Sequence, residues 1–273
     1  MAKKQAAADA QAGQKDKDKG APSEALPLFY TAPAPLDAKR HAALGLRSNF
    51  GLAFTANVNA VPVNMIEMPQ LCHFYPIAFS PDANATPVAL LGLRDSENLF
   101  VDARGEWAAD SYIPAYIRRY PFIFSEVPGQ DQLTLCVDMN DKVIDEKSDQ
   151  KFFGPDGKAT ALAQNALEFC KSYHAAAQQT LTFSKALAAS GLLVDRQAEI
   201  NAGNGQRISF SGFRIIDEQK LADMPDKEFL EWRRRGWLPF LYAHLFSGAQ
   251  WQRLTLLLRQ KLANEPAGET KKK

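Results

Sequence analysis

Cysteine is scarce: Cys72, Cys136 and Cys170 are the only three in 273 residues. They cannot all pair, and each lies among apolar neighbours in the sequence. A disulfide-built scaffold is thereby excluded, and three buried, reduced thiols with no bound metal and no cofactor are expected. A charge imbalance is also missing. The chain has 32 Lys and Arg against 31 Asp and Glu, for a formal net charge of +1. That offers no global field for nucleic acid or an anionic membrane. No apolar run reaches the roughly 20 residues of a membrane span. The most apolar long stretch, Trp237 to Phe246, is far shorter and contains Pro239 and His244. Met1 to Gln5 is basic, but Asp9 and Gln11 break the run of small residues after it, so no signal-peptide core is expected. There is no internal repeat and no Gly-x-Ser-x-Gly elbow. Gly203-Asn204-Gly205 joins two strand-like runs with no helix after it, so it reads as a hairpin turn rather than a phosphate cradle.

What is present is ordinary for a globular chain: 46% hydrophobic and 23% charged residues, enough for one large body or two small ones. Residues 1–24 and 264–273 have almost nothing to bury and read as disordered tails around an α+β body over 25–263. Leu26 to Leu46 is punctuated by Pro27, Pro33 and Pro35, and reads as an extended arm packing Leu28, Phe29, Tyr30 and Leu36 on the body. Strands are expected at Asn49–Phe54, Val61–Ile66, Tyr75–Phe79, Val88–Gly92 and Asn98–Val101, the last two paired. This half is thus an antiparallel or mixed sheet, with one short helix near Glu67–Phe74. Ala159 to Ser190 is the clearest helix, with Leu162, Ala166, Cys170, Tyr173, Ala177, Leu181 and Leu187 on one stripe and Gly191 beyond its end. A hairpin comes next from Leu192 to Ile216, with a bulge expected at Gly212. Helices are expected at Asp217–Ala222, Asp226–Arg235, Leu238–Phe246 and from Ala249 to about Lys261, the last opened by a capping box at Ser247 to Gln250.

Gly105 to Asp138 organises the chain. Tyr112, Tyr116 and Arg119 fall at helical spacing, so Pro114–Arg119 is read as one short helix that Pro121 stops. Phe122–Phe124 and Leu133–Val137 are the strands of a hairpin around a Val127–Asp131 turn. The run Trp107…Tyr112-Ile-Pro-Ala-Tyr-Ile-Arg-Arg-Tyr-Pro-Phe-Ile-Phe resembles the central motif of the bacterial SapC family, whose namesake is associated with surface (S-) layers. The likeness also takes in Pro27–Tyr30, Arg40-His41, Asn59–Val63, Tyr75–Phe79, Gly191–Leu193, Gly212-Phe213 and Tyr242–Ser247. It implies a non-enzymatic accessory of the surface layer or cell envelope, with an envelope or S-layer protein as partner. The family supplies no established catalytic residues to carry over.

The residues themselves contain no acid, base or nucleophile arrangement. Lacking a signal peptide or span, the chain reads as cytoplasmic, and surface placement needs a non-classical export route. A second reading is a cytoplasmic protein that binds a small ligand or peptide, for which the SapC resemblance implies a link to nutrient uptake. Its contacts are Trp107, Tyr112, Tyr116, Arg118 and Arg119. Against that stands a purely structural use of the same residues: an arginine between tyrosines must find a carboxylate or carbonyls when buried, a buried acid such as Asp138 or Asp102 being the expected partner. Cys170 and His174 are four apart on a helix, but two ligands alone make a weak metal site.

Overall fold

The computed structural model describes residues 26–126, 133–203 and 206–264. The strands are β1 (Pro33–Pro35), β2 (Gly45–Leu46), β3 (Ala60–Pro62), β4 (Ile77–Phe79), β5 (Pro87–Leu90), β6 (Phe122–Glu126), β7 (Leu133–Asp138), β8 (Ile144–Asp145), β9 (Leu193–Gly203) and β10 (Gln206–Ile216). The helices are α1 (Met68–Leu71), α2 (Ala115–Arg119), α3 (Ala161–Ala189), α4 (Glu218–Ala222), α5 (Asp226–Arg234), α6 (Leu238–Ser247) and α7 (Gln250–Asn264). Three sheets form, ordered β1-β7-β6, β3-β5-β4-β10-β9 and β2-β8. Every strand pair is antiparallel, so the class is α+β.

Two hydrophobic clusters hold these elements. The larger unites α1, β4, β5, the C-terminal half of α3 and α5 to α7 around Met68, Phe79, Phe183, Leu187 and Leu254. The smaller gathers Tyr30, Tyr120, Phe122, Phe152 and Cys170 under the three-stranded sheet. Phe29 and Phe54 pack against both. Burying a Phe183 or a Leu187 contributes about 1.5–3 kcal/mol each, which ties the long helix down.

α3 spans nearly the whole predicted length, but its buried stripe is Ala163, Cys170, Ala176, Thr180, Phe183, Ser184 and Leu187 rather than one through Ala177 and Leu181. Two hydroxyls are tolerated there because each is bonded. Thr180 Oγ1 donates to the Ala176 carbonyl and accepts the Met65 N–H, and Ser184 Oγ donates to the Thr180 carbonyl. The bulge is at Gly212: pairing slips between Phe210 and Phe213, and Gly212 takes φ +81°, where a side chain would be strained.

Four local expectations are overturned. Asn49–Phe54 is no strand: the Leu52 N–H goes to the Gly105 carbonyl and the chain closes into a 3-10 turn at Ala53–Thr55. Asn98–Val101 does not pair with β5 as a strand, because β3 and β4 already occupy both edges of β5. Val101 makes only an isolated bridge to Trp107. Val61–Ile66 is extended only at β3, then turns into a 3-10 helix at Met65–Glu67. Ser247 caps nothing in α7. It is the last residue of α6, where its hydroxyl accepts the Ile77 N–H and donates to the His244 carbonyl. Of the arm, Phe29, Tyr30 and Leu36 pack inward, while Leu28 stays 37% exposed. The Val127–Asp131 turn, the 1–24 tail and all of the 264–273 tail except Asn264 lie outside the described residues.

Candidate functional site

α2 has no side chain of its own to cap it, since Pro114 stands at its N-cap. Glu67 supplies the acceptor from the end of the preceding 3-10 turn. Its Oε1 accepts the Ala115 N–H at 2.8 Å and the Tyr112 hydroxyl at 2.8 Å, and its Oε2 accepts the Asn64 N–H at 3.4 Å. A buried carboxylate at a helix N-terminus is favoured by the exposed N–H groups there. Arg118 completes a relay: its Nη2 donates to Tyr112 Oη at 2.7 Å and lies 3.8 Å from Glu67, and its Nε donates to the Ile113 carbonyl. The guanidinium sits about 5 Å from the Tyr112 and Phe169 rings. Burial and the Glu67 carboxylate push the Tyr112 hydroxyl up to about 12.

Trp107 joins the same side. Its Nε1 donates to Tyr75 Oη at 3.1 Å, and that hydroxyl donates to the Tyr112 carbonyl at 2.6 Å. The Trp107 ring stacks on Phe100.

Arg119 points the other way, into a cage of tyrosines. Its guanidinium is 4.4 Å from the Tyr173 ring, 4.8 Å from Tyr116 and 5.7 Å from Tyr30. Its buried Nε–H donates to no acceptor among the described residues. The Tyr30 hydroxyl donates to the Phe122 carbonyl and the Tyr116 hydroxyl to the Leu28 carbonyl. Burial raises the pKa of Tyr30, Tyr116 and Tyr173, so these hydroxyls stay protonated at neutral pH.

Of the five residues singled out, Trp107, Tyr112 and Arg118 meet around Glu67 and Tyr75, while Tyr116 and Arg119 meet in the cage. α2 divides one expected cluster into two. Neither expected acid serves an arginine of α2. Asp138 is fully buried, accepting the Thr31 and Ala32 N–H groups and the Thr31 and Tyr120 hydroxyls, so it ties down the arm. Asp102 pairs with Arg104. Glu67, Tyr75 and Tyr173 were not singled out from sequence. Glu67 meets α2 from 48 residues upstream, and nothing local marks it as an acceptor for that helix.

The three cysteines are free and buried, and burial pushes the Cys170 thiol up to about 11, which makes it a poor nucleophile. Among the described residues no three His, Cys, Asp or Glu side chains converge on a possible metal position. His174 lies edge-on to Phe124. A separate cleft of about 550 Å³ lies across β3, β5, β4 and β10, away from α2.

No curated protein and no solved structure is detectably similar to the chain. A model of the SapC family, by contrast, matches residues 36–254 of the 273. That range includes the α2 junction apart from Leu28 and Tyr30, the long helix and the hairpin, and on it the chain belongs to the SapC family.

Proposed function

We propose that this SapC-family protein is a non-enzymatic accessory of the cell envelope or surface layer that works by contact with an envelope protein. The observation that carries this reading is the fate of the family motif. Trp107, Tyr112 and Tyr116 direct their polar atoms to Tyr75, Glu67 and Leu28 inside the fold. A signature used up in this way builds a scaffold and leaves the biological work to the surface that the scaffold displays. The surface-layer assignment itself comes from the family's namesake. Among the described residues no helix is long and apolar enough to cross a membrane. Attachment through protein contacts, and export by a non-classical route, belong to the same proposal. Fractionation with crosslinking tests it. Recovery with the envelope, crosslinked to an envelope protein, supports the reading, whereas recovery wholly in the cytosol without crosslinks removes it.

Arg118 favours a second reading, a cytoplasmic small-ligand or peptide-binding protein linked to nutrient uptake. Its side chain is 41% exposed beside Tyr112 and Phe169, so it alone of the five presents its charge to an incoming anionic group. A thermal-shift screen of anionic metabolites tests this: a hit should be lost in Arg118→Ala.

A further inference from the structure

The β9–β10 hairpin outgrows the sheet it belongs to. β10 is 11 residues long yet meets β4 at a single register pair, Arg214 with Phe79. From there toward Gln206, β9 is its one strand neighbour among the described residues. Every second residue of an antiparallel strand turns its N–H and C=O away from one neighbour, and among the described residues no second ladder receives them along this stretch. An open edge of this kind is a template for another strand.

This edge borders a cleft of about 550 Å³. Ile208 to Phe213 form one wall, Val88 and Leu90 of β5 another, and the Leu93–Asp95 segment closes one end. Leu90 and Phe213 are buried, while Val88, Ile208 and Phe210 are half-buried, so the cleft has a reachable apolar side; Asn59, Arg94, Asp95 and Ser209 make the rest of its lining polar. The Ser80 hydroxyl, at the end of β4 beside the cleft, is buried without a hydrogen-bond partner among the described residues.

We propose that the cleft binds an extended peptide segment of a partner protein, added as a strand to the open edge of β10. A row of backbone donors and acceptors reads an extended main chain, whereas a compact small molecule satisfies only one or two of them. The volume lies within the roughly 300–1,000 Å³ of single-ligand sites, enough for a few residues of one strand. A second copy of this chain fits less well, because it must bring β9 along with β10, two strands about 10 Å across, into the same space. The seven residues from Arg207 to Phe213 span about 23 Å. The partner segment is therefore some four to six residues long, with small β-branched side chains on the apolar side. The inference stands on the β10 edge and not on where in the cell the protein works, so it survives or fails apart from the envelope proposal.

The probe is a fluorescein-labelled octapeptide of alternating Thr and Val, followed by anisotropy on the full chain. Saturable binding is expected below about 1 mM, the weak end of specific recognition. It should weaken at least about tenfold when alternate peptide amides are N-methylated, a change that leaves the protein untouched. Ile208→Lys and Val88→Lys, on opposite walls, should each reduce binding, with thermal melts confirming that the variants fold. β10 amides between Arg207 and Phe213 should gain exchange protection on binding. Absence of saturation, binding indifferent to N-methylation, or self-association of the chain through β10 in place of peptide binding overturns the proposal.

Discussion

The α2 junction and the β9–β10 hairpin handle polar groups in opposite ways. At α2 the hydroxyls of Tyr30, Tyr75, Tyr112, Tyr116 and Tyr120 all donate to acceptors within the fold, and Glu67 and Asp138 each collect several donors. At the hairpin, Ser209 and Ser211 are exposed, and from Gln206 to Phe213 β10 has β9 as its one strand neighbour among the described residues. Leaving a buried polar group unbonded costs about 1–3 kcal/mol, so a region that draws many tyrosines inside must close its network. A region near solvent faces no such demand and can keep backbone groups free for a partner. The longest motif in the sequence thus marks a region whose tyrosine hydroxyls and carboxylates are bonded inside the fold, with Arg119 Nε the exception, while the more open part carries little motif.

Breaking the closed half should have the largest effect. Tyr120 is 5% exposed and meets the rings of Phe29, Tyr30, Phe50 and Phe54. Tyr120→Ala should cost about 3–5 kcal/mol in chemical denaturation. Tyr120→Phe should cost nearer 1 kcal/mol, since Asp138 keeps its other donors.

Acid should strike the hairpin's root next. His244 is buried in α6, and its Nε2 accepts the Ile216 N–H at the base of β10. Burial pushes its pKa down to about 4 from an ordinary 6.5. The unfolded chain therefore binds this proton first as pH falls. The stabilisation is complete above about pH 6.5 and is lost as pH drops toward 4, by about 3 kcal/mol. Melting temperature against pH should be flatter in His244→Asn than in the parent. Equal slopes would dismiss the histidine as the cause.

Glu67→Ala comes third, at about 2–4 kcal/mol, because it strands the Tyr112 hydroxyl and the Ala115 N–H together. Glu67→Gln keeps an acceptor and should recover more than half of that loss. Arg119 sharpens the comparison further. With a carboxylate partner, its removal would cost about 3–5 kcal/mol. The cage offers rings instead, so Arg119→Met should change stability by no more than about 2 kcal/mol. A loss as large as that of Tyr120→Ala would mean that an acid does pair with it. At the other extreme, Ser209→Ala removes an exposed cross-strand bond to Gln197 and should stay within about 0.5 kcal/mol.

Much of the local structure was legible. The 3.6-residue period marked α3, Pro121 marked the end of α2, and Gly212 marked the bulge, because each rests on interactions within a few residues. Errors appeared where a local signal had a distant competitor. Ser247 has the spacing of a capping box, yet its hydroxyl is taken by Ile77, 170 residues away. Asn98–Val101 has strand composition, yet β3 holds the β5 edge that it would need. At the candidate site the tyrosines and arginines were visible as a cluster, but their partners were not. Asp138 and Asp102 were the expected acids, and the carboxylate that serves α2 is Glu67.

By itself, then, the sequence determined the α+β class, the long helix, the hairpin with its bulge and membership of the SapC family. All of these follow from short-range periodicity, backbone stereochemistry or an extended motif. Only the tertiary structure decided that β10 joins β4 in one sheet, that α2 turns Arg118 and Arg119 to opposite sides, and that the hairpin keeps an open edge beside a cleft. Those outcomes depend on which distant groups reach each other once the chain closes on its core. A buried carboxylate, an arginine cage and an unpaired strand edge are properties of such meetings, and the order of residues along the chain does not contain them.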